Sequence, residues 1–306
     1  MLNGVLIINK PAGFTSHDVV NRIRRILQQR SVGHLGTLDP LATGVLPLVV
    51  GNMTRLAQFY TSSEKTYEGA IRFGFATDTF DGDGDPTAQT QPVVVSLTQL
   101  RELAQTFLGV IQQMPPPFSA KKIQGVPAYK LARKKREVHL SPIQVEVKEF
   151  EILAADGDCA TFRARVASGT YMRVIAHDMG QRMGCGAHLQ SLCRTSVAEF
   201  ELAHSHTLEE LQTAANHDRL EGVLVHPREL LPQIPSVTAD DEIAAKIRAG
   251  RAVNLPDFSR APIVKVFHGQ RELIAMATRI AGTLFHAKIV LAGNDVLQET
   301  RSENKK

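Results

Sequence analysis

Gly33-His34-Leu35-Gly36-Thr37-Leu38-Asp39-Pro40-Leu41-Ala42-Thr43-Gly44-Val45-Leu46-Pro47 is the stretch on which the reading of this chain turns. Its three glycines mark a segment that must bend sharply more than once. Pro40 biases Asp39 away from helical geometry. Asp39 is therefore displayed from a rigid, non-helical loop that runs straight into an apolar run at 45–50. The residues leave two readings open: a turn cap, a common job for Asp before Pro, or a carboxylate held still for chemistry.

Outward from this loop, Val5-Leu6-Ile7-Ile8 is a continuous apolar run, expected as a strand buried on both faces. Ser16 is placed to cap a helix that carries Val19, Val20, Ile23, Ile26 and Leu27 at helical spacing. Tyr67, Ile71, Phe73 and Phe75 share one parity and so one face of a strand. Leu97, Leu100, Leu103 and Phe107 predict a helix ending at Gly109. Ile143, Val145, Val147 and then Phe162, Ala164, Val166 alternate around an Asp156-Gly157-Asp158 turn. A helical pattern runs over 171–183, and Thr207 with Glu210 forms a capping box. Pro227, Pro232 and Pro235 mark a linker, followed by a short helix at 240–248 and strands near 263–267, 273–277 and 284–291.

The chain has 306 residues, 43% hydrophobic and 22% charged, as in an ordinary globular protein. That length suits one large domain plus a small one. A net charge of +4 and a pI near 9.0 fit a nucleic-acid or phosphate partner, weakly. The first apolar run stops at Lys10, short for a secretory signal, and no window approaches a membrane span. Three cysteines with no Cys-x-x-Cys read as reduced packing residues of a cytoplasmic protein. No Walker pattern occurs. The acidic run Asp78, Asp81, Asp83, Asp85 lacks calcium-loop spacing: counted from Asp81, the glycine and glutamate positions fall on Pro86 and Pro92. Between Ser119 and Arg136 lie seven Lys or Arg residues, among them Lys121, Lys122, Lys134, Lys135 and Arg136, and no Asp or Glu. This is either a solvated charged face or a surface for phosphates.

Five blocks in order resemble the bacterial tRNA pseudouridine-55 synthases, the TruB-type family: the Gly33–Pro47 loop with the opening Ile8-Asn9-Lys10-Pro11-Ala12-Gly13-Phe14-Thr15-Ser16; Glu64-Lys65-Thr66-Tyr67; Thr77-Asp78-Thr79-Phe80-Asp81-Gly82-Asp83-Gly84; Met114-Pro115-Pro116-Pro117-Phe118-Ser119-Ala120-Lys121; and Ser168-Gly169-Thr170-Tyr171-Met172-Arg173. The resemblance implies an α/β (α+β) pseudouridine synthase fold, a mixed, largely antiparallel sheet flanked by helices. It implies a catalytic domain at 1–235, with an RNA-clamping insertion at about 119–141, and a small β-rich, PUA-like RNA-binding domain at 236–306.

The implied reaction isomerises uridine 55 of the tRNA T-loop to pseudouridine by flipping the base, with no cofactor and no metal. Asp39 would be the essential carboxylate. Arg173 would keep it ionised and oriented, and Tyr67 would stack on the uracil. His34 would fill the vacated stack or hold the flipped nucleotide. Tyr171 and Leu192 would line the pocket, and Asp81 would hold Arg173. Lys10 would brace the site, with a phosphate contact as the alternative. The implied partner is the T-arm stem-loop of tRNA, with no obligatory protein partner and a monomeric state. An RNA-binding or tRNA-folding protein and an RNA-guided relative share parts of this pattern, as the alternatives. The intact Asp39, Tyr67 and Arg173 argue against the first and the lack of basic extensions against the second.

Overall fold

The computed structural model describes residues 1–116, 122–123, 126–127, 141–256 and 260–291. In chain order, the first part contains β1 (Gly4–Lys10), α1 (Ser16–Ile26), β2 (Val32–His34), β3 (Thr43–Val50), β4 (Lys65–Phe73), α2 (Leu97–Gln105), β5 (Gly109–Gln113), β6 (Lys122–Ile123), β7 (Val126–Pro127), β8 (Ile143–Asp156), β9 (Cys159–Val166), α3 (Met172–Met183), β10 (Ala187–Val197), β11 (Phe200–Glu201) and α4 (Leu208–Asn216). A 3-10 segment, Gly51–Phe59, follows β3. The last part contains β12 (Ser236–Ala239), α5 (Asp241–Arg248), β13 (Val253–Asn254), β14 (Ile263–His268), β15 (Glu272–Ala281) and β16 (Leu284–Val290).

The main sheet runs β1-β3-β10-β4-β9-β8-β5, with β2 beside β3 and β11 beside β10. Its pairs are antiparallel except β3 with β10, which run parallel through Thr43–Cys193 and Gly44–Arg194. The sheet is thus mixed and largely antiparallel, and the single parallel joint lies at the end of the Asp39 loop. The last strands form a separate sheet, β12-β14-β15-β16-β13.

The apolar run of β1 explains how the two parts meet. Leu6 and Ile8 join one core with Leu46, Leu48, Ile71 and Phe73. Val5 and Ile7 join another, which holds Val45 and Val49 together with Phe267, Leu273, Met276 and Ile289 of the last part. Period-two alternation therefore sends neighbouring residues of one strand into two cores. The proline-rich stretch read as a linker is itself packed. Leu230 and Leu231 are buried, Leu231 N donates to Glu199 Oε1 at 2.8 Å, and Lys265 N donates to Pro235 O at 2.8 Å.

Several sequence boundaries shift. The N-cap of α1 is Thr15, in a capping box with Asp18, and Ser16 is a buried first-turn residue. β4 ends at Phe73, before Phe75, because Gly74 turns the chain at φ +103°. α2 stops at Gln105, with Phe107 buried in the turn beyond it. The capping box at Thr207 and Glu210 forms as read. Of the basic stretch, Lys121, Lys134, Lys135 and Arg136 lie outside the described residues, and Lys122 stands in the two-residue strand β6.

Candidate active site

The loop between β2 and β3 has few internal hydrogen bonds and is held from beneath by side chains. The Lys10 ammonium, at the end of β1, donates to the carbonyls of Phe14 (2.6 Å), Pro11 (2.8 Å) and Pro40 (3.2 Å). Ser16 Oγ accepts from Leu38 N at 2.8 Å and lies 3.1 Å from Leu38 O. Arg194, fully buried on β10, donates to Val45 O (2.8 Å), Gly36 O (3.0 Å) and Thr37 O (3.3 Å). Buried backbone carbonyls need donors, and these three side chains supply them on both sides of Asp39.

Lys10 is 0% exposed and all three of its N–H bonds have carbonyl partners. These partners suit Lys10 as a brace of the loop, the first of the two readings given for it, and leave its ammonium no free N–H for the alternative, a phosphate contact. Burial lowers its pKa to about 8, with Asp39 pulling the other way.

Arg173 stands in the first turn of α3, whose N-terminus is fixed by Gln113. The buried Gln113 amide accepts from Tyr171 N at 3.0 Å and donates to Tyr171 O at 3.2 Å. From there Arg173 Nε lies 2.9 Å from Asp39 Oδ2, and Nη1 lies 3.2 Å from Asp81 Oδ2. Nη1 also donates to Thr79 O at 3.0 Å. The other Asp81 oxygen accepts from Thr79 Oγ1 at 2.5 Å and from Asp83 N at 3.2 Å. Between Thr79 and Asp81, Phe80 adopts φ +66°, a conformation that costs a non-glycine residue. Its ring stacks on His177, one helical turn after Arg173, with centroids 3.9 Å apart. The acidic loop thus acts as a clamp for a guanidinium.

Burial pushes the Asp39 carboxyl up from its ordinary value, Arg173 pulls it back, and the Asp81 charge adds to the rise. The Asp39 side chain keeps 38% exposure, against 6% for Arg173 and Asp81, so of the three it is the one open to a ligand.

Asp39 opens into a cleft of about 400 Å³. Its walls include His34 and Lys65, the tyrosines Tyr60, Tyr67 and Tyr171, and Leu192. Tyr67 and Leu192 belong at the same time to the main core, at 6% and 8% exposure. Burial, then Arg194, lowers the His34 pKa, so its imidazole is neutral at physiological pH. The structure brings together Asp39, Tyr67, Arg173, Asp81, His34, Tyr171 and Leu192 as a site and places Lys10 behind it. Sequence reading missed Arg194, Gln113 and Lys65. For Arg194 a signal existed: it shares strand parity with Leu192, which predicts an inward side chain.

A ligand with one flat apolar face, polar edges and a reacting centre near a carboxylate fits these walls. Among the described residues no cluster of His, Cys, Asp or Glu could hold a metal ion.

Residues 24–172 match the family described as TruB family pseudouridylate synthase (N terminal domain), and residues 173–231 the tRNA pseudouridylate synthase B C-terminal domain. A protein of Solibacter usitatus named tRNA pseudouridine synthase B is 48% identical, over 95% of this chain and 100% of its own. A protein of the same name from Dehalococcoides mccartyi is 36% identical, over 95% and 97%. Among solved structures, a Cbf5-Nop10-Gar1 complex superposes with a TM-score of 0.69 at 25% identity, over 95% of this chain and 86% of that one. An archaeal box H/ACA sRNP Nop10-Cbf5 complex gives 0.69 at 24%, over 96% and 87%, and shares the fold. With relatives this similar along nearly its whole length, the chain belongs to the TruB family of pseudouridylate synthases.

Proposed function

We propose that this protein isomerises uridine 55 in the T-loop of tRNA to pseudouridine, with Asp39 as its essential carboxylate. The observation that carries the reading is the Asp39–Arg173 pair, 2.9 Å apart, at the floor of a cleft walled by Tyr67. The name shared by the relatives, tRNA pseudouridine synthase B, supports tRNA as the substrate.

The chemistry follows from the walls. A uridine within folded RNA has to leave its stack to enter such a cleft. Tyr67 offers the flat face on which the base lies, and His34 lines the cleft from the end of β2, just before the loop that carries Asp39. As the bond from C1′ to N1 lengthens, positive character grows at the sugar, and a carboxylate beside it stabilises that charge. Arg173 keeps Asp39 ionised and aimed. Attack by Asp39 on the sugar or the base and removal of a sugar proton all begin from this carboxylate. The base then turns and rebonds through C5. The second sheet and the basic stretch that includes Lys134, Lys135 and Arg136 contribute phosphate contacts that fix the register of the RNA. The protein acts on its RNA as a monomer in the cytoplasm.

The test follows tritium release from C5-labelled uridines in a T-arm stem-loop, wild type beside Asp39→Asn. Release that is lost in the variant while RNA binding persists supports the reading. Binding of whole tRNA without release by the wild type would point to an RNA-folding protein instead.

A further inference from the structure

Two buried lysines flank the Asp39 loop, and they differ in one respect. Lys10 spends all three of its N–H bonds on carbonyls. Lys65, only 9% exposed, makes one hydrogen bond among the described residues, to Ser63 O at 2.6 Å. Buried donors are normally satisfied, and an ammonium has three of them. Lys65 lines the cleft with Asp39 and Tyr67. It stands on the same face of β4 as Tyr67, about 7 Å along the strand. Its stem passes beneath the catalytic loop: a β-carbon on Gly36 would lie 3.4 Å from Lys65 Cε and 3.6 Å from Arg194 Nη1. Burial and the neighbouring Arg194 both act against its charge, lowering its pKa to about 8, and no carboxylate offsets them. A cation on the cleft wall, beside another cation and with one protein acceptor among the described residues, is poised for an acceptor that arrives with the ligand.

We propose that Lys65 is a catalytic residue that donates hydrogen bonds to a carbonyl oxygen of the pyrimidine in the cleft and carries the negative charge the base takes up when its glycosidic bond opens. The inference rests on the reading of the cleft as a site of uridine isomerisation. In that reaction the C1′–N1 bond breaks with its electron pair passing to the ring, C1′–C5 forms, the C5 proton leaves to water and N1 gains one. The charge on the ring is transient and falls on its carbonyl oxygens. A base lying on Tyr67 presents its edge toward Lys65, while Asp39 faces the sugar. The two groups divide the charges of one bond cleavage.

The experiment measures single-turnover tritium release and tRNA affinity for wild type, Lys65→Met and Lys65→Arg. Removing one preorganised donor to a developing anion costs about 100-fold or more in rate, so Lys65→Met is expected to lose that much while its tRNA Kd stays within about threefold. Lys65→Arg recovers most of the loss. The wild-type rate falls as pH rises through about 8, and Lys65→Arg moves this fall to higher pH. Arg194 on β10 is the charged group beside Lys65, and the other titratable groups of the cleft are Asp39 on the loop, His34 at the end of β2, and Tyr60, Tyr67 and Tyr171 on the walls. Because none of these is altered, a shifted limb belongs to position 65. A Lys65→Met rate close to wild type overturns the proposal. So does a loss that tracks a lowered melting temperature and is not recovered by arginine, since Lys65 would then be a brace for the loop. A wild type that binds tRNA and releases no tritium overturns the underlying reading itself.

Discussion

Gly44 and Arg194 meet backbone to backbone: a β-carbon on Gly44 would fall 2.3 Å from the carbonyl oxygen of Arg194. This close approach is part of the parallel joint between β3 and β10. The same Arg194 reaches back with its guanidinium to Gly36 O and Thr37 O. One residue thus fixes the loop at both ends, and it can do so only because Gly44 lets the strands close.

Gly44→Ala tests this closure. The site also has φ +95°, so alanine meets both a clash and a strained backbone. The expected destabilisation is about 2–4 kcal/mol, read as a lower urea midpoint, with a loss of turnover in the protein that remains folded.

Lys10→Met removes the donor to three carbonyls without touching the cleft. A buried carbonyl left without a partner costs about 1–3 kcal/mol, and the loop is expected to relax. Turnover falls while tRNA affinity stays near wild type. A salt-dependent loss of affinity would instead return Lys10 to the RNA interface.

Asp81→Asn keeps the shape and removes one of the charges holding Arg173. Turnover is expected to drop about 10- to 100-fold with little change in KM, because Asp81 is buried behind Arg173 and does not face the ligand. An equal rise in KM would show that the loop binds substrate directly.

The acid limb of the rate profile follows Asp39. With the carboxylate as the active form, as proposed, activity is expected to rise with pH through its pKa, which burial raises above the ordinary 3.8. The Asp81 charge adds to the upward displacement, so Asp81→Asn is expected to move the limb to lower pH. The measurement is kcat/KM against pH for both proteins.

Neutralising Lys134, Lys135 and Arg136 together is expected to weaken tRNA binding and flatten its dependence on salt, by about one unit of log–log slope for each phosphate no longer neutralised. The maximal rate at saturating tRNA stays close to wild type. An unchanged slope would remove this stretch from the interface.

The sequence disclosed the fold where patterns are local. The run at 5–8 reads as a strand buried twice over, and it lies between two cores. The capping box at Thr207 needs only residues three apart and formed as read. At α1 both Thr15 and Ser16 are good caps, and Asp18, three residues beyond Thr15, decides for Thr15. Asp39 stood out because glycine and proline chemistry shapes its loop. Arg194, Lys65 and Gln113 did not stand out because their reasons lie far along the chain. Arg194 is buried by carbonyls more than 150 residues away, and Gln113 by the backbone of Tyr171, 58 residues on. A charged or amide side chain in a strand reads as solvent-facing until its partners are known.

β1 and β3 turn an apolar surface toward the last part of the chain, where Phe267, Leu273, Met276 and Ile289 pack with Val5, Ile7, Val45 and Val49. The second sheet is therefore a cover as well as an appendage. A stop codon after Pro235 would bare that surface on every copy, and bared surfaces of this kind draw copies into aggregates. What such a truncation is expected to remove first is solubility.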